Sequence, residues 1–264
     1  MTSTSAGRPV VLSQRLARYI EAIEISEASP SAPGGDSYTV LPTPQPVLGL
    51  QRRGRLAALR GERTWPLETV GLTGLQSSAR RFLAEPGTRT LLVRFKPYGA
   101  APFVGARIGD VVDQHVGLSQ IVSPAFAQAL IAQASADASD EDATRTLLTA
   151  LEALLQHPQF SVPASVRQAA DTLVREGGAV RIAALAERLG VGVRRLERGF
   201  HACIGLSPKE FAGIVRFTAA VERLDAPVSA ARAAHDAGFA DQAQFSREFA
   251  RRTGSSPARW RRAR

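Results

Sequence analysis

The chain has 264 residues, 44% hydrophobic and 22% charged, which is the composition of a globular protein with room for two cores. Its single cysteine, Cys203, excludes a disulfide framework and a cysteine-based zinc site. With neither a run of 18 apolar residues nor a signal peptide, we expect a cytoplasmic, nucleoid-associated protein with no membrane partner.

The formal net charge of +9 is unevenly placed. Residues 160–264 carry 18 basic and 10 acidic side chains, a net of +8, whereas residues 1–159 carry 15 and 14, a net of +1. A basic half beside a neutral half is typical of a protein that binds a polyanion. DNA or RNA is a better candidate for this polyanion than a membrane surface. From charge alone, an arginine-rich face that is only solvated and binds no partner is an equally good interpretation.

The N-terminal half begins with a segment, residues 10–25, that fits a helix or a strand. Between residues 38 and 97, strand-length apolar runs alternate with Gly and Pro turns, which predicts a small antiparallel sheet or barrel. Residues 98–112 are predicted to form a loop.

Two helices are predicted next, at residues 124–134 and 143–156, with the acidic loop 135–142 between them. They fit either a dimer seam or packing on their own sheet. The proline-containing stretch 157–163 is the best domain boundary, so we expect a sensor or dimerisation domain at 1–157 and a second domain at 158–264.

The second domain has helical periodicity and contains an internal repeat. VRIAALAERLG (180–190) aligns with VSAARAAHDAG (228–238), and LERGFHACIGLSP (196–208) aligns with FSREFARRTGSSP (245–257). Each copy predicts a helix ending at glycine, a tight turn and a second helix, which is the layout of a helix-turn-helix unit.

The second helix of each copy has two faces. Leu196 and Phe200 lie four residues apart in the first copy, as do Phe245 and Phe249 in the second, which predicts a buried stripe. Arginine and glutamine project from other faces, and these side chains make bidentate contacts with guanine and adenine in the major groove.

Between the copies, residues 208–224 predict a long helix with Ser207 as its N-cap. Such a helix would hold the two units rigidly, so that their second helices enter successive major grooves about 34 Å apart. The helix N-termini at Ser207 and Ser256 are predicted to bind phosphates. Further phosphate contacts are expected from Arg251, Arg252, Arg259, Arg261 and Arg262.

The motifs LGVGVRRLERGF and GLSPKEF of the first unit, and AGFADQAQFSREF and GSSPARW of the second, lie within residues 165–262. This region resembles the AraC-type (AraC/XylS family) transcription regulators. The resemblance implies seven helices, with base contacts from the third and the sixth. At Gly192 the family usually has a Ser or Thr cap, and Ala243 can touch only a thymine methyl group. The predicted DNA-binding residues are Arg194, Arg195, Glu197, Arg198, Gln242, Ala243, Gln244, Arg247, Ser207, Lys209 and Ser256.

The N-terminal half resembles, more loosely, the β-rich sensor domain that precedes this module in some AraC-type proteins, on the stretch LLVRFKPYGAAPFV. This implies a small-molecule effector, dimerisation or both. Monomer and homodimer both stay open, and RNA polymerase is a candidate protein partner.

Catalysis is not expected. One cysteine cannot supply the clustered thiolates of the alkyl-DNA repair proteins that carry this module, and His115 and His157 are too few for a cupin-type metal site. The neighbouring Asp113 and His115 are interpreted as solvated loop structure. We therefore predict no enzyme, no metal and no cofactor.

Together these features predict an α+β protein: a small β-rich, barrel-like N-terminal domain with flanking helices, and an all-α C-terminal domain of two helix-turn-helix units joined by a long helix. The predicted function is sequence-specific regulation of transcription at double-stranded promoter or operator DNA. The alternative is a non-catalytic effector-binding or interaction protein that binds nucleic acid non-specifically. Matched polar positions on two helices favour the first, because non-specific binding needs only charge.

Overall fold

Two antiparallel sheets form the first half of the molecule. The structure, a computed structural model, describes residues 3–5, 11–29, 35–133, 138–158, 160–224 and 229–262. The strands in those ranges are β1 (Ser3–Ser5), β2 (Ile20–Glu27), β3 (Asp36–Val40), β4 (Val47–Arg53), β5 (Leu56–Arg60), β6 (Arg63–Pro66), β7 (Val70–Thr73), β8 (Arg80–Ala84), β9 (Arg89–Phe95) and β10 (His115–Gly117). The six-stranded sheet has the order β1-β2-β9-β4-β7-β10, and the four-stranded sheet has the order β3-β8-β5-β6. The predicted β-rich domain is confirmed.

The six-stranded sheet has two faces of different character, because successive side chains of a strand point to opposite sides. Leu48, Leu91 and Val93 lie on one face and are buried in an apolar core. Gly49 and Leu92 lie on the other face, which lines a space between the two sheets. The barrel therefore encloses a cavity on one side of this sheet and carries helices on the other.

Helices cover the outer face of the six-stranded sheet. They are α1 (Ala101–Val104), α2 (Pro124–Gln133) and α3 (Asp140–Leu154), and short 3-10 helices span Leu16–Arg18, Gly105–Val111 and Leu118–Gln120. Leu130 of α2 and Leu147 and Leu151 of α3 are buried in the same core as the sheet. Helices α2 and α3 therefore pack on their own sheet.

The predicted loop at residues 98–112 is wrong, because α1 and a 3-10 helix lie within it. Pro102 stands in the first turn of α1, where its missing N–H costs nothing, and Gly105 follows the last residue with a φ of 69°. Proline and glycine are typical of loops, but in these positions they delimit a helix.

The predicted acidic loop at residues 135–142 is also wrong in part, because α3 begins at Asp140. The Ser139 hydroxyl accepts a hydrogen bond from the N–H of Asp142 at 3.0 Å and so caps the helix. Three carboxylates in the first turn suit the positive end of the helix dipole. Residues 134–137 lie outside the described part of the chain.

The second half is helical. Its described helices are α4 (Ala164–Arg175), α5 (Ile182–Arg188), α6 (Val193–Ile204), α7 (Pro208–Leu224), α8 (Ala230–Asp236), α9 (Gln242–Thr253) and α10 (Pro257–Arg262). The long connecting helix α7 has the bounds that the sequence predicts. Residues 225–228, which include the first residue of the second repeat copy, lie outside the description.

Helix α7 belongs to two apolar cores. Its first half packs with α4, α5 and α6, where the rings of Phe200 and Phe211 lie 5.8 Å apart. Its second half packs with α8 and α9, where the rings of Phe217 and Phe249 lie 5.5 Å apart. The two helix-turn-helix units are therefore connected by one continuous packed element.

The barrel contributes to both helical cores. Leu75 and Tyr98 are buried in the first, and Leu41 packs against the second. The Tyr98 hydroxyl donates to the Asp171 carboxylate at 3.3 Å, and burial raises the pKa of this tyrosine. In the ranges that the structure describes, none of the helices is both long enough and apolar enough to cross a membrane.

Candidate nucleic-acid interface

The first helix-turn-helix unit consists of α5 and α6. Gly190 takes a φ of 64° in the turn between them, a conformation that glycine adopts without steric cost. Leu196 and Phe200 of α6 are buried, as the sequence predicts. Cys203 is buried as well, and burial raises the pKa of its thiol to about 11. The apolar stripe fixes which face of α6 remains outside.

The outer face of α6 is polar and unengaged. Arg194, Arg195, Glu197 and Arg198 are all exposed, and none of their side chains makes a hydrogen bond or ion pair with another described residue. The N-cap Gly192 provides no side-chain hydrogen bond to the first turn. Three guanidinium groups and one carboxylate are thus offered together to solvent.

The second unit, α8 and α9, repeats this arrangement with Gly238 at a φ of 78° in the turn. Phe245 and Phe249 are fully buried. Helix α9 is better capped than α6, because the Asp241 carboxylate accepts from the N–H of Gln244 at 2.6 Å. The side-chain oxygen of Gln244 in turn accepts from the N–H of Ala240 at 2.9 Å.

The outer face of α9 carries the other predicted base-contacting residues. Gln242, Ala243 and Arg247 are exposed, and neither Gln242 nor Arg247 makes a side-chain hydrogen bond with a described residue. Gln244 is exposed too, but its carbonyl oxygen belongs to the helix cap, which leaves only its amide N–H groups for another partner.

The predicted phosphate site at Ser207 already holds a carboxylate. Glu210 accepts from the Ser207 N–H at 2.9 Å and from its hydroxyl at 2.6 Å, while the Ser207 hydroxyl accepts from the Glu210 N–H. These bonds lower the pKa of Glu210, so the N-terminus of α7 carries its own negative charge. Lys209, one residue further, is exposed. At Ser256 the hydroxyl accepts from the N–H of Arg259 and no acidic residue lies in the first turn.

The arginines near the C-terminus divide into two groups. Arg259, Arg261 and Arg262 are exposed. Arg251 forms an ion pair with Glu248 at 2.7 Å, and Arg252 is buried, with 5% of its side chain accessible. The expectation that Arg252 contacts DNA phosphates is therefore wrong, because its guanidinium is enclosed by protein.

Two family models match the chain. Residues 185–263 match the model of a helix-turn-helix domain. This region is an AraC-type helix-turn-helix domain. Residues 12–117 match a domain of unknown function, DUF6597. The protein is thus a DNA-binding regulator of transcription.

Several solved structures are similar to this chain. The C-terminal domain of AraT, a response regulator from Geobacillus stearothermophilus, is 25% identical with a TM-score of 0.37, over 40% of this chain and 89% of that one. ToxT from Vibrio cholerae is 12% identical with a TM-score of 0.48, over 91% and 97%. The AraC-like transcriptional activator CuxR is 15% identical with a TM-score of 0.32, over 68% and 69%. No curated protein sequence matches the chain.

Arg252 of the regulator joins α9 to the barrel. One guanidinium nitrogen donates to the backbone oxygen of Ser77 at 2.6 Å, and Nε donates to Glu248 at 2.6 Å. The backbone oxygen of Arg252 accepts from the N–H of Ala79 at 2.7 Å. The guanidinium also lies 5.7 Å from the ring centre of Phe217. The sequence carries no signal for the contact with Ser77, since the two residues lie 175 positions apart.

The cavity between the sheets has a volume of about 300 Å³. Its walls combine apolar side chains such as Leu56 and Phe82 with neutral polar groups such as Tyr38, Gln51 and Gln76. Burial raises the pKa of Tyr38 to about 12, with a contribution from Asp36. The Gln76 side-chain oxygen is buried without a hydrogen-bond partner among the described residues. Most of the lining is thus uncharged, with Glu68 and Arg94 as its acidic and basic residues, and the cavity has unused polar capacity.

His115 lines the same cavity and does not pair with Asp113. Its Nδ1 lies 3.0 Å from the Thr73 hydroxyl, and its Nε2 is buried without a partner among the described residues. Burial, assisted by the charge of Arg80, lowers the pKa of His115 to about 4, so the ring is neutral near pH 7. The Asp113 carboxylate instead accepts from the N–H and hydroxyl of Ser77. The interpretation of these two residues as a solvated pair is wrong.

Proposed function

We propose that the protein regulates transcription by placing α6 and α9 in successive major grooves of a specific DNA site. The observation that carries this proposal is that both helices present exposed polar side chains, most of them without a protein partner, on the face opposite their buried aromatic and leucine residues. A helix whose outer arginines lack protein partners keeps its donors available for base edges.

Each exposed residue has a proposed role. Arg194 and Arg198 of α6 donate to guanine, and Gln242 and Arg247 of α9 bind adenine and guanine respectively. Ala243 offers only a methyl contact to thymine. Six further residues have the proposed role of orienting neighbouring side chains or contacting the DNA backbone. They are Arg195, Glu197, Gln244, Ser207, Lys209 and Ser256.

The Ser207 site is the weakest of the proposed phosphate contacts. Its amide is already satisfied by Glu210, and a phosphate would meet that carboxylate. Ser256 has no acidic neighbour in its first turn. We therefore expect the second unit to hold the DNA backbone more strongly at its final helix than the first unit does at α7.

We further propose that residues 1–157 sense a small-molecule effector and that residues 158–264 bind DNA, with neither part acting as an enzyme. The barrel cavity, with the unpartnered Nε2 of His115 and side-chain oxygen of Gln76, supports an uncharged ligand. The segment 74–79 connects this cavity to α9, because Gly74 and Gln76 line the cavity while Ser77 and Ala79 bond Arg252.

Selection of bound sequences from a random DNA pool by the purified protein tests the function. We expect a motif with two halves about one helical turn apart. Arg198→Ala and Arg247→Ala should each weaken binding to that motif by about 1–3 kcal/mol and relax the base preference of one half only. Repeating the selection with the small-molecule fraction of a cell extract tests the proposed sensor. We expect the same motif to be selected, but with a changed yield.

Arg223→Ala is the matched control. Arg223 is an exposed arginine of α7, outside both α6 and α9, and its guanidinium donates to the backbone oxygen of Ala219. Its replacement should leave the selected motif unchanged. If the pool yields no motif, or if Arg198→Ala and Arg247→Ala lower binding equally to every sequence, the protein binds non-specifically and the proposal fails.

A further inference from the structure

A second cleft, of about 440 Å³, lies where the four-stranded sheet meets the end of the second helix-turn-helix unit. One wall is the end of the sheet, with Arg60 closing β5 and Arg80 and Arg81 opening β8. The other wall is formed by Thr253 and by residues of the chain just beyond α9. The cleft thus has one side on the barrel and the other on the DNA-binding domain.

The three arginines have no ionic partner among the described residues. Arg81 donates to the Ser37 hydroxyl at 3.3 Å, and Arg60 lies 6.0 Å from the ring centre of Trp65. Arg80 is half-buried, and its side chain makes no hydrogen bond or ion pair with any described residue. The described lining of the cleft contains no Asp or Glu.

The surroundings of Arg80 do not neutralise it. Burial lowers its pKa most, the charge of Asp113 partly opposes this, and the charge of Arg60 lowers the pKa further. The carboxylate oxygens of Asp113 already accept from Ser77, at 2.8 Å from the N–H and 2.5 Å from the hydroxyl. A half-buried cation next to another cation is costly unless an anion joins them.

We propose that this cleft binds a small phosphate-type anion between the barrel and the second helix-turn-helix unit. The guanidinium group is planar and matches the oxygens of such an anion through paired hydrogen bonds. Arg60 and Arg80, which the strand register places on the same face at one end of a concave site, favour an anion of at least two negative charges over chloride. The bound anion would hold the second unit against the barrel.

The position of the cleft favours a free anion over a DNA phosphate. The outer face of α9 begins at Gln242, whereas the cleft touches Thr253, eleven residues and about 16 Å further along the helix. Recognition helices of this type contact bases with their N-terminal residues. The site is therefore separate from the proposed base contacts.

Titration of the full chain with sodium phosphate, by calorimetry at ionic strength held constant with sodium chloride, tests the proposal. We expect saturable binding to the wild type and at least tenfold weaker binding to Arg80→Gln. Arg60→Gln should also weaken binding. Because Arg60 is exposed, we expect this variant to fold. Arg63→Gln is the control, since Arg63 lies exposed on β6 of the same sheet and outside the cleft.

The absence of saturable phosphate binding to the wild type would overturn the proposal, as would equal affinities in the wild type, Arg80→Gln and Arg60→Gln. A DNA arm identifies the other source of the anion. If phosphate does not bind but Arg80→Gln weakens DNA binding and reduces its salt slope by about one, the cleft holds a backbone phosphate and the free-anion site is wrong. Because the phosphate titration contains no DNA, it is decided independently of the proposed base contacts.

Discussion

Replacement of Arg252 by alanine tests how the barrel holds the second helix-turn-helix unit. The change removes the side-chain hydrogen bonds to the Ser77 backbone oxygen and to Glu248, both at 2.6 Å, and the contact with the Phe217 ring. The backbone bond from Ala79 to the oxygen of residue 252 can remain. The variant therefore removes the side-chain part of the connection between barrel and α9.

The expected loss is about 3 kcal/mol in the free energy of unfolding. A hydrogen bond to a charged group contributes about 1.5–3 kcal/mol, and leaving the Ser77 oxygen without its donor adds about 1 kcal/mol. The loss stays at the low end of the range for a broken buried ion pair, about 3–5 kcal/mol. The reason is that Glu248 is partly exposed and keeps its second partner, Arg251.

Urea unfolding of the full chain, followed by circular dichroism, measures this difference. Arg251→Ala is the control, because Arg251 binds the same carboxylate from a side chain that is 64% exposed. An exposed pair of that kind contributes under about 1 kcal/mol. If Arg252→Ala loses no more stability than Arg251→Ala, the burial of Arg252 against the barrel does not stabilise the molecule and this reasoning is refuted.

Two further predictions concern stability. Because burial lowers the pKa of His115 to about 4 from 6.5, only the unfolded chain takes up this proton between those values, so about 3 kcal/mol of stability is lost as the pH falls from 6.5 to 4. His115→Gln should remove that part of the pH dependence in urea titrations, and parallel curves would contradict the assignment. Gly192→Ser should raise stability by a few tenths to 1 kcal/mol, because Gly192 has an extended backbone with free space at its Cβ position and α6 lacks a side-chain cap. Gly192→Ala, which cannot cap, is its control and should not stabilise.

The helical half was predictable from sequence because its signals are local. The repeat places a glycine at each turn and aromatic or leucine residues four apart in each second helix, and both patterns act within a few residues. Ser207 and Pro208 likewise mark the start of α7 by adjacent chemistry. Local periodicity therefore identifies which faces of α6 and α9 are buried.

The contacts of Arg252 and His115 were not predictable because they depend on distant segments. Arg252 occupies a polar stretch of α9 and is buried only because Ser77 and Ala79 of the barrel lie over it. His115 is two residues from Asp113, but Asp113 has a φ of 55° and the chain turns there before entering β10. That turn separates the two side chains, one toward Ser77 and the other into the cavity.

The sharing of α7 between two cores has a consequence for cooperativity. Phe211 and Phe217 lie on the same helix but in different cores, so melting this helix exposes both sets of aromatic rings at once. Leu75 and Leu41 extend each core into the barrel. The sequence predicts a domain boundary near residue 157, but both helical cores extend across it. We therefore expect the two parts to unfold together, so that a destabilising change in either helix-turn-helix unit lowers the unfolding free energy of the whole molecule.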